Sequence, residues 1–175
     1  MNTRAVLALL AGVVATLFGC SSSYEGATAQ FTLPPETGFD SVTTPLVFFC
    51  GSIDCHGGVG RNLRLYGMQG RRLDPTDVPC GAMTKQAEID ADYQSFVGLE
   101  PEILAAVVKD GGKHPERLTV IRKARGTEKH TGGVVFAAGS DGDHCLTEWI
   151  AGQTDQAGAD CNNAIPQNPR PLCVP

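Results

Sequence analysis

Cys50-Gly51-Ser52-Ile53-Asp54-Cys55-His56-Gly57 is the stretch from which the rest of the chain is read. Two cysteines close in sequence, with a histidine directly after the second, form the layout of covalent haem attachment. Each thiol can add to one haem vinyl group as a thioether, and the adjacent imidazole can then reach the iron as proximal ligand. The usual spacing has two residues between the cysteines. Here there are four, a rarer variant in which the chain loops out between the two attachment points. The plainer reading is a short disulfide loop with a surface histidine. A zinc site on Cys50, Cys55 and Cys80 fits less well, because thiolates in an oxidising compartment are lost to disulfides and no paired C-x2-C partner exists.

Upstream, Met1 to Arg4 is a short basic stretch, and Ala5 to Phe18 is an apolar run too short to span a bilayer comfortably. Leu17-Phe18-Gly19-Cys20 resembles a bacterial lipoprotein cleavage box, with Phe18 larger than the residues usual at its place. Residues 1–19 are therefore expected to be a signal peptide and Cys20 a lipidated N-terminus. Residues 20–38 are small, polar and Pro-containing, and read as a flexible tether. The expected location is the cell envelope, lipid-anchored on the periplasmic side; Ser21, rather than Asp, after the anchor favours the outer membrane.

The remaining length suits one compact domain, expected over residues 39–152. Residues 153–175 carry Gln, Asn and several Pro, and are expected to be an irregular tail looped by a disulfide. With a net charge of −5, nothing points to nucleic acid. Aromatics are only 6% while Gly (21) and Pro (11) are plentiful, so the core is expected to be small and to benefit from cross-links or a buried prosthetic group. Seven cysteines fit an oxidising compartment. With Cys20 lipidated, six remain, and the parity is even with or without haem on Cys50 and Cys55. The preferred disulfides are Cys80–Cys145 and Cys161–Cys173.

Helical signals run through the domain. Val42 to Phe49 is apolar and leads into the cysteine motif. Ala87 to Val97 reads as a helix stopped at Gly98. Pro101 opens another, with Ile103, Leu104, Val107 and Val108 on one face and Gly111-Gly112 at its end. Asp141 or Asp143 can cap a last helix whose apolar face is Cys145, Leu146, Trp149 and Ile150. Leu118 to Arg125 and Val134 to Ala137 are short and ambiguous; strands are one reading of them. The fold class is thus mainly α, with long Gly/Pro-rich loops, room for a short β-hairpin, and disulfide staples.

The set Cys50-x4-Cys55-His56-Gly57, Asn62-Leu-Arg-Leu65 and Cys145-Leu-Thr-Glu-Trp149-Ile150-Ala-Gly152 is similar to small mono-haem c-type cytochrome-like lipoproteins. The resemblance covers residues 45–152 and implies a small cytochrome c-like helical domain with haem c in a crevice. It implies one axial histidine from the motif, His56, and a second ligand from a later loop. The family commonly supplies Met shortly before the closing helix. In this chain neither Met68 nor Met83 lies there, whereas Glu128-Lys-His130-Thr-Gly132-Gly133 does. His130 is accordingly the expected distal ligand, with Met83 next and an open sixth position third. Arg61 and Arg64 are candidates for the haem propionates, since guanidinium grips carboxylate in two-pronged fashion. Trp149 is either core, against Leu104 and Val108, or part of a haem wall.

The function implied is haem binding and electron transfer with an unidentified redox partner protein, not an enzyme reaction. The alternative is a haem-free, disulfide-stabilised surface lipoprotein; a haem peroxidase or sensor is a third reading. The basic residues from Lys109 to Lys129 read more readily as a solvated surface than as a dock for an acidic partner. His114 and His144 read as an exposed turn residue and a helix-cap neighbour. No nucleophile elbow, Walker loop, dinucleotide fingerprint or EF-hand is present.

Overall fold

A computed structural model describes residues 30–166. Cys20 and Cys173, and with them the expected lipidation site and one expected half-cystine, lie outside these residues. Chain contacts define a compact unit beginning at Phe31. The described part is mainly helical, with six α-helices: α1 (Phe39–Cys50), α2 (Gln86–Val97), α3 (Pro101–Lys109), α4 (Thr119–Ala124), α5 (Asp141–Ile150) and α6 (Thr154–Ala164). A single 3-10 turn, Pro115–Arg117, precedes α4. No strand forms among the described residues; one isolated bridge joins Tyr66 and Arg71. No described helix is long and apolar enough to cross a membrane.

The helix ends follow local chemistry. At the start of α2 the Glu88 carboxylate reaches back to the Lys85 N–H at 2.9 Å, half of a capping box. Pro101 stands at the first position of α3, where its missing N–H costs nothing. The cap of α5 is Ser140, whose Oγ accepts from the Asp143 N–H, not Asp141 or Asp143. Asp143 instead grips Arg125 through both oxygens, at 2.7 and 2.9 Å. Neither of the two ambiguous segments forms a strand: 119–124 is helical and 134–137 is irregular. Glu100 decides the first of these by accepting from both the N–H and the hydroxyl of Thr119, which starts α4.

The core is an aromatic cluster between α1, α2 and α5. Phe39 packs on Trp149 at 4.9 Å between ring centroids and on Tyr93 at 5.4 Å, and Phe96 meets Trp149 at 5.4 Å. Leu104, Ile121 and Leu146 close it from α3, α4 and α5.

Three expectations about the ends of the domain are corrected. Cys145 pairs with Cys161, not with Cys80, across 16 residues of sequence. Cys80 is itself disulfide-bonded. The segment after Gly152 is not irregular throughout: α6 folds back along α5, burying Ala157 and Cys161, and the disulfide staples the two helices. Residues 34 and 35, expected within a flexible tether, are docked: the Pro34 carbonyl accepts from the Tyr93 hydroxyl and the Pro35 carbonyl from the Trp149 indole N–H. Two buried aromatics thereby satisfy their polar atoms on the chain leading into α1.

Candidate functional site

The end of α1 delivers the cysteine motif. Cys50 is the last residue of the helix, and the chain then turns back on itself. The His56 N–H bonds the Cys50 carbonyl at 2.9 Å, and the Cys55 and Gly57 N–H groups both bond the Ser52 carbonyl at 2.9 Å. The four intervening residues thus form a compact hydrogen-bonded loop. Arg61 braces it from outside, donating to the carbonyls of Cys55 and Asp54, and Arg71 Nε donates to the Gly57 carbonyl at 2.7 Å. Both thiols are free; Cys50 is half-buried and Cys55 exposed. The short-disulfide reading of this pair is not what the structure has. Burial, with the neighbouring Cys55 adding to it, pushes the Cys50 thiol up to about 12, so it stays protonated at neutral pH.

His56 and His130 face one another. Their ring centroids are 5.9 Å apart with 36° between planes. The His56 Nδ1 lies 2.9 Å from the Leu63 carbonyl, which only accepts, so Nδ1 carries the proton and Nε2 keeps its lone pair. Burial lowers the pKa of this imidazole, against the pull of the Leu63 carbonyl and with help from His130, Arg61 and Lys123. A neutral ring with a fixed tautomer is the form in which histidine binds metal. His130 comes from the loop after α4. Its Nδ1 is buried and has no hydrogen-bond partner. Gly132 backs the ring: a Cβ there would stand 3.0 Å from His130 Cε1. Gly133, at φ +68°, lets the chain turn away.

Both rings line a cavity of about 560 Å³. Its walls are largely apolar, including Leu46 and Cys50 of α1, Val120 of α4, Phe136, and Leu146 of α5. Phe136 is held in place by close contact with Gly142, where any Cβ would collide with its ring. Arg61 and Lys123 supply cationic groups to the lining. Cys55 does not line the cavity, although it is the neighbour of His56.

Other sequence candidates fall elsewhere. Met83 is 74% exposed and does not line the cavity. Arg64 turns to the Tyr66 hydroxyl. Trp149 belongs to the aromatic core and not to the cavity wall. His114 is exposed beside Glu116. Within the basic stretch, Arg117, Arg122, Lys123 and Arg125 are tied to Asp110, Glu128 and Asp143. His144, exposed on α5, gathers with Glu148 and Asp160 where the disulfide joins α5 to α6; burial and the Asp160 carboxyl raise the Glu148 pKa. Sequence reading did not find this group, since Asp160 arrives only through α6. Cys50, Cys55, His56 and His130 are not drawn into any such tight group of three.

No family model, no curated protein and no solved structure matches the chain.

Proposed function

We propose that the chain is a haem-binding electron carrier, with one haem c on Cys50 and Cys55 and with His56 and His130 on the iron, in a small cytochrome c-like helical domain. The single observation that carries this reading is the pair of facing imidazoles across a cavity of about 560 Å³. Imidazoles bind a metal ion at about 2 Å from the ligating nitrogen, so two rings 5.9 Å apart suit one ion between them. The cavity is too large for a bare ion, and its walls are apolar enough for a porphyrin.

A bound haem supplies a one-electron couple between ferric and ferrous iron. The protein's own residues do the rest. His56 presents Nε2 with its tautomer fixed by Leu63. Cys50 and Cys55 are free thiols beside it. Apolar side chains make up much of the wall, and Arg61 and Lys123 stand in the lining as cationic partners for carboxylates. Two nitrogen ligands give a lower potential than His/Met ligation would. The reading includes a lipid anchor at Cys20, on the periplasmic side of an envelope membrane, and a redox partner protein.

The test is intact mass together with a pyridine haemochrome spectrum, on mature protein made in a periplasm with active cytochrome c maturation. The expected result is one covalent haem with a c-type spectrum. A haem-free mass, with Cys50 and Cys55 both alkylatable, overturns the reading.

A further inference from the structure

The segment Leu63–Tyr66 is bonded alternately to two sides. The Leu63 carbonyl accepts from His56 Nδ1 at 2.9 Å, and the Leu65 N–H donates to the His56 carbonyl at 2.9 Å. The Arg64 N–H donates to Ser95 Oγ at 2.8 Å, and the Tyr66 N–H donates to Asp92 Oδ1 at 2.7 Å. Odd residues hold the histidine and even residues hold α2, the period of two that an extended chain imposes. Asp92 is fully buried at 0% exposure, and its second oxygen, Oδ2, has no hydrogen-bond partner. A buried carboxylate oxygen without a donor is costly, and nothing in the aromatic core requires an acid at this position.

We propose that Asp92 is a buried proton-binding residue that positions His56 through the Leu63–Tyr66 segment and links the iron's ferric–ferrous balance to pH. The inference rests on the haem reading above. A proton on Oδ2 removes the charge and leaves Oδ1 to accept from Tyr66. Burial pushes this carboxyl up to about 8, against the pull of the Tyr66 N–H and with help from Glu88. Glu88, one turn back on α2, is the charged group acting on it. Arg72 holds Glu88 through two N–H groups, and Arg64 points to the Tyr66 hydroxyl instead. A negative charge buried in the protein behind the His56-holding segment favours ferric over ferrous iron. With haem bound, one electron supplied by a one-electron donor protein would be matched by one proton passing from hydronium to Oδ2, so that one O–H bond forms on the carboxyl as one breaks in hydronium.

The experiment is a spectroelectrochemical titration of the haem-loaded full chain from pH 6 to 10, for the wild type, Asp92→Asn and Ser95→Ala. Asn keeps the size and the acceptor for Tyr66 but binds no proton. The wild-type potential is expected to fall with rising pH around pH 8, and the Asn variant to be flat. Ser95→Ala loosens the same segment but keeps the acid, and so retains the pH dependence. Equal pH dependence in wild type and Asp92→Asn overturns the proposal. Oxidised-minus-reduced infrared difference spectra of the wild type keep the test independent of the variant's folding. A carboxyl band that appears on reduction supports the proposal, and its absence overturns it. A chain without haem defeats the haem reading and the redox linkage but not the positioning role. In that chain the His56 ring resonances are expected to show an inflection near pH 8 that Asp92→Asn removes; an unchanged inflection overturns that role as well.

Discussion

The two histidines of the cavity are held in opposite ways. His56 sits in a loop held from several sides: its N–H bonds the Cys50 carbonyl, its carbonyl accepts from Leu65, its ring Nδ1 bonds the Leu63 carbonyl, and the Gly57 carbonyl accepts from Arg71. Around His130, from Lys129 to Val134, the one backbone hydrogen bond is Gly133 N–H to the His130 carbonyl, and the His130 Nδ1 is buried without a partner. A ring fixed by a hydrogen bond from one nitrogen, as His56 is by the Leu63 carbonyl, is better oriented than a ring with a buried nitrogen that has no partner, as in His130. The difference makes His56 the permanent side of the site and His130 the adjustable side.

The largest expected effect breaks the comparison outright. On the haem-loaded protein, His130→Ala is expected to keep the covalent haem mass but lose the low-spin signature in optical and EPR spectra. His56→Ala is expected to lose both, because the thioether pair then lacks the ligand that seats the iron. A low-spin spectrum unchanged in His130→Ala removes that residue from the site.

A smaller effect asks whether the far wall matters to the difference. The Cys145–Cys161 disulfide closes a loop of 16 residues and staples α5, which carries Leu146 of the cavity wall, to α6. A cross-link over a loop of this length contributes about 3 kcal/mol. Cys161→Ser is expected to lower stability in denaturant melts by about that much while leaving the spectra of both histidines unchanged. Spectra that shift together with the melt would mean that the staple, and not the local bonding, sets the ring geometry.

What was legible in the sequence divides along the same line. Helices α2, α3 and α5 announced themselves through Gly98, Pro101 and the four-residue apolar face ending at Ile150, signals carried within one window of chain. The family resemblance singled out His56 and, from a loop before the closing helix, His130 as ligands; the structure brings the two rings face to face. Helix α6 was not legible, because it buries only Ala157 and Cys161 and its other residues are polar or small. Missing α6 also misassigned the disulfide, since Cys145 and Cys161 meet only once the two helices form a hairpin. Helix α4 starts on a carboxylate 19 residues upstream, which no local pattern contains. The docking of Pro34 and Pro35 likewise depends on Tyr93 and Trp149, far along the chain.

On the adjustable side, Gly132→Ala is expected to cost about 1 kcal/mol and to move His130 more than His56. The new methyl would stand 3.0 Å from His130 Cε1, so the ring must give way while the loop around His56 is untouched. Ring resonances from both histidines check this; equal shifts in the two would show that the loops move as one body.

The smallest effect is a pH dependence that belongs to His56. Its pKa in the folded chain lies below the free value, first because the ring is buried. The unfolded chain therefore binds the proton more readily, and stability rises with pH across the interval between the two values. The contribution is complete above about pH 6.5, the unfolded value, and is lost as pH falls through the lower folded value. The ring is half-buried, so solvent screens much of the effect and the slope is expected to be shallow. Carboxylates titrate in the same acid range, so the readout is the difference between wild type and His56→Asn in melts from pH 4.5 to 7.5. The wild type is expected to lose more stability than the variant below pH 6.5. Parallel curves would mean that the Leu63 carbonyl stabilises the charged ring as much as burial disfavours it. His56 would then be held in place without being held neutral, and the contrast with His130 would be one of geometry alone.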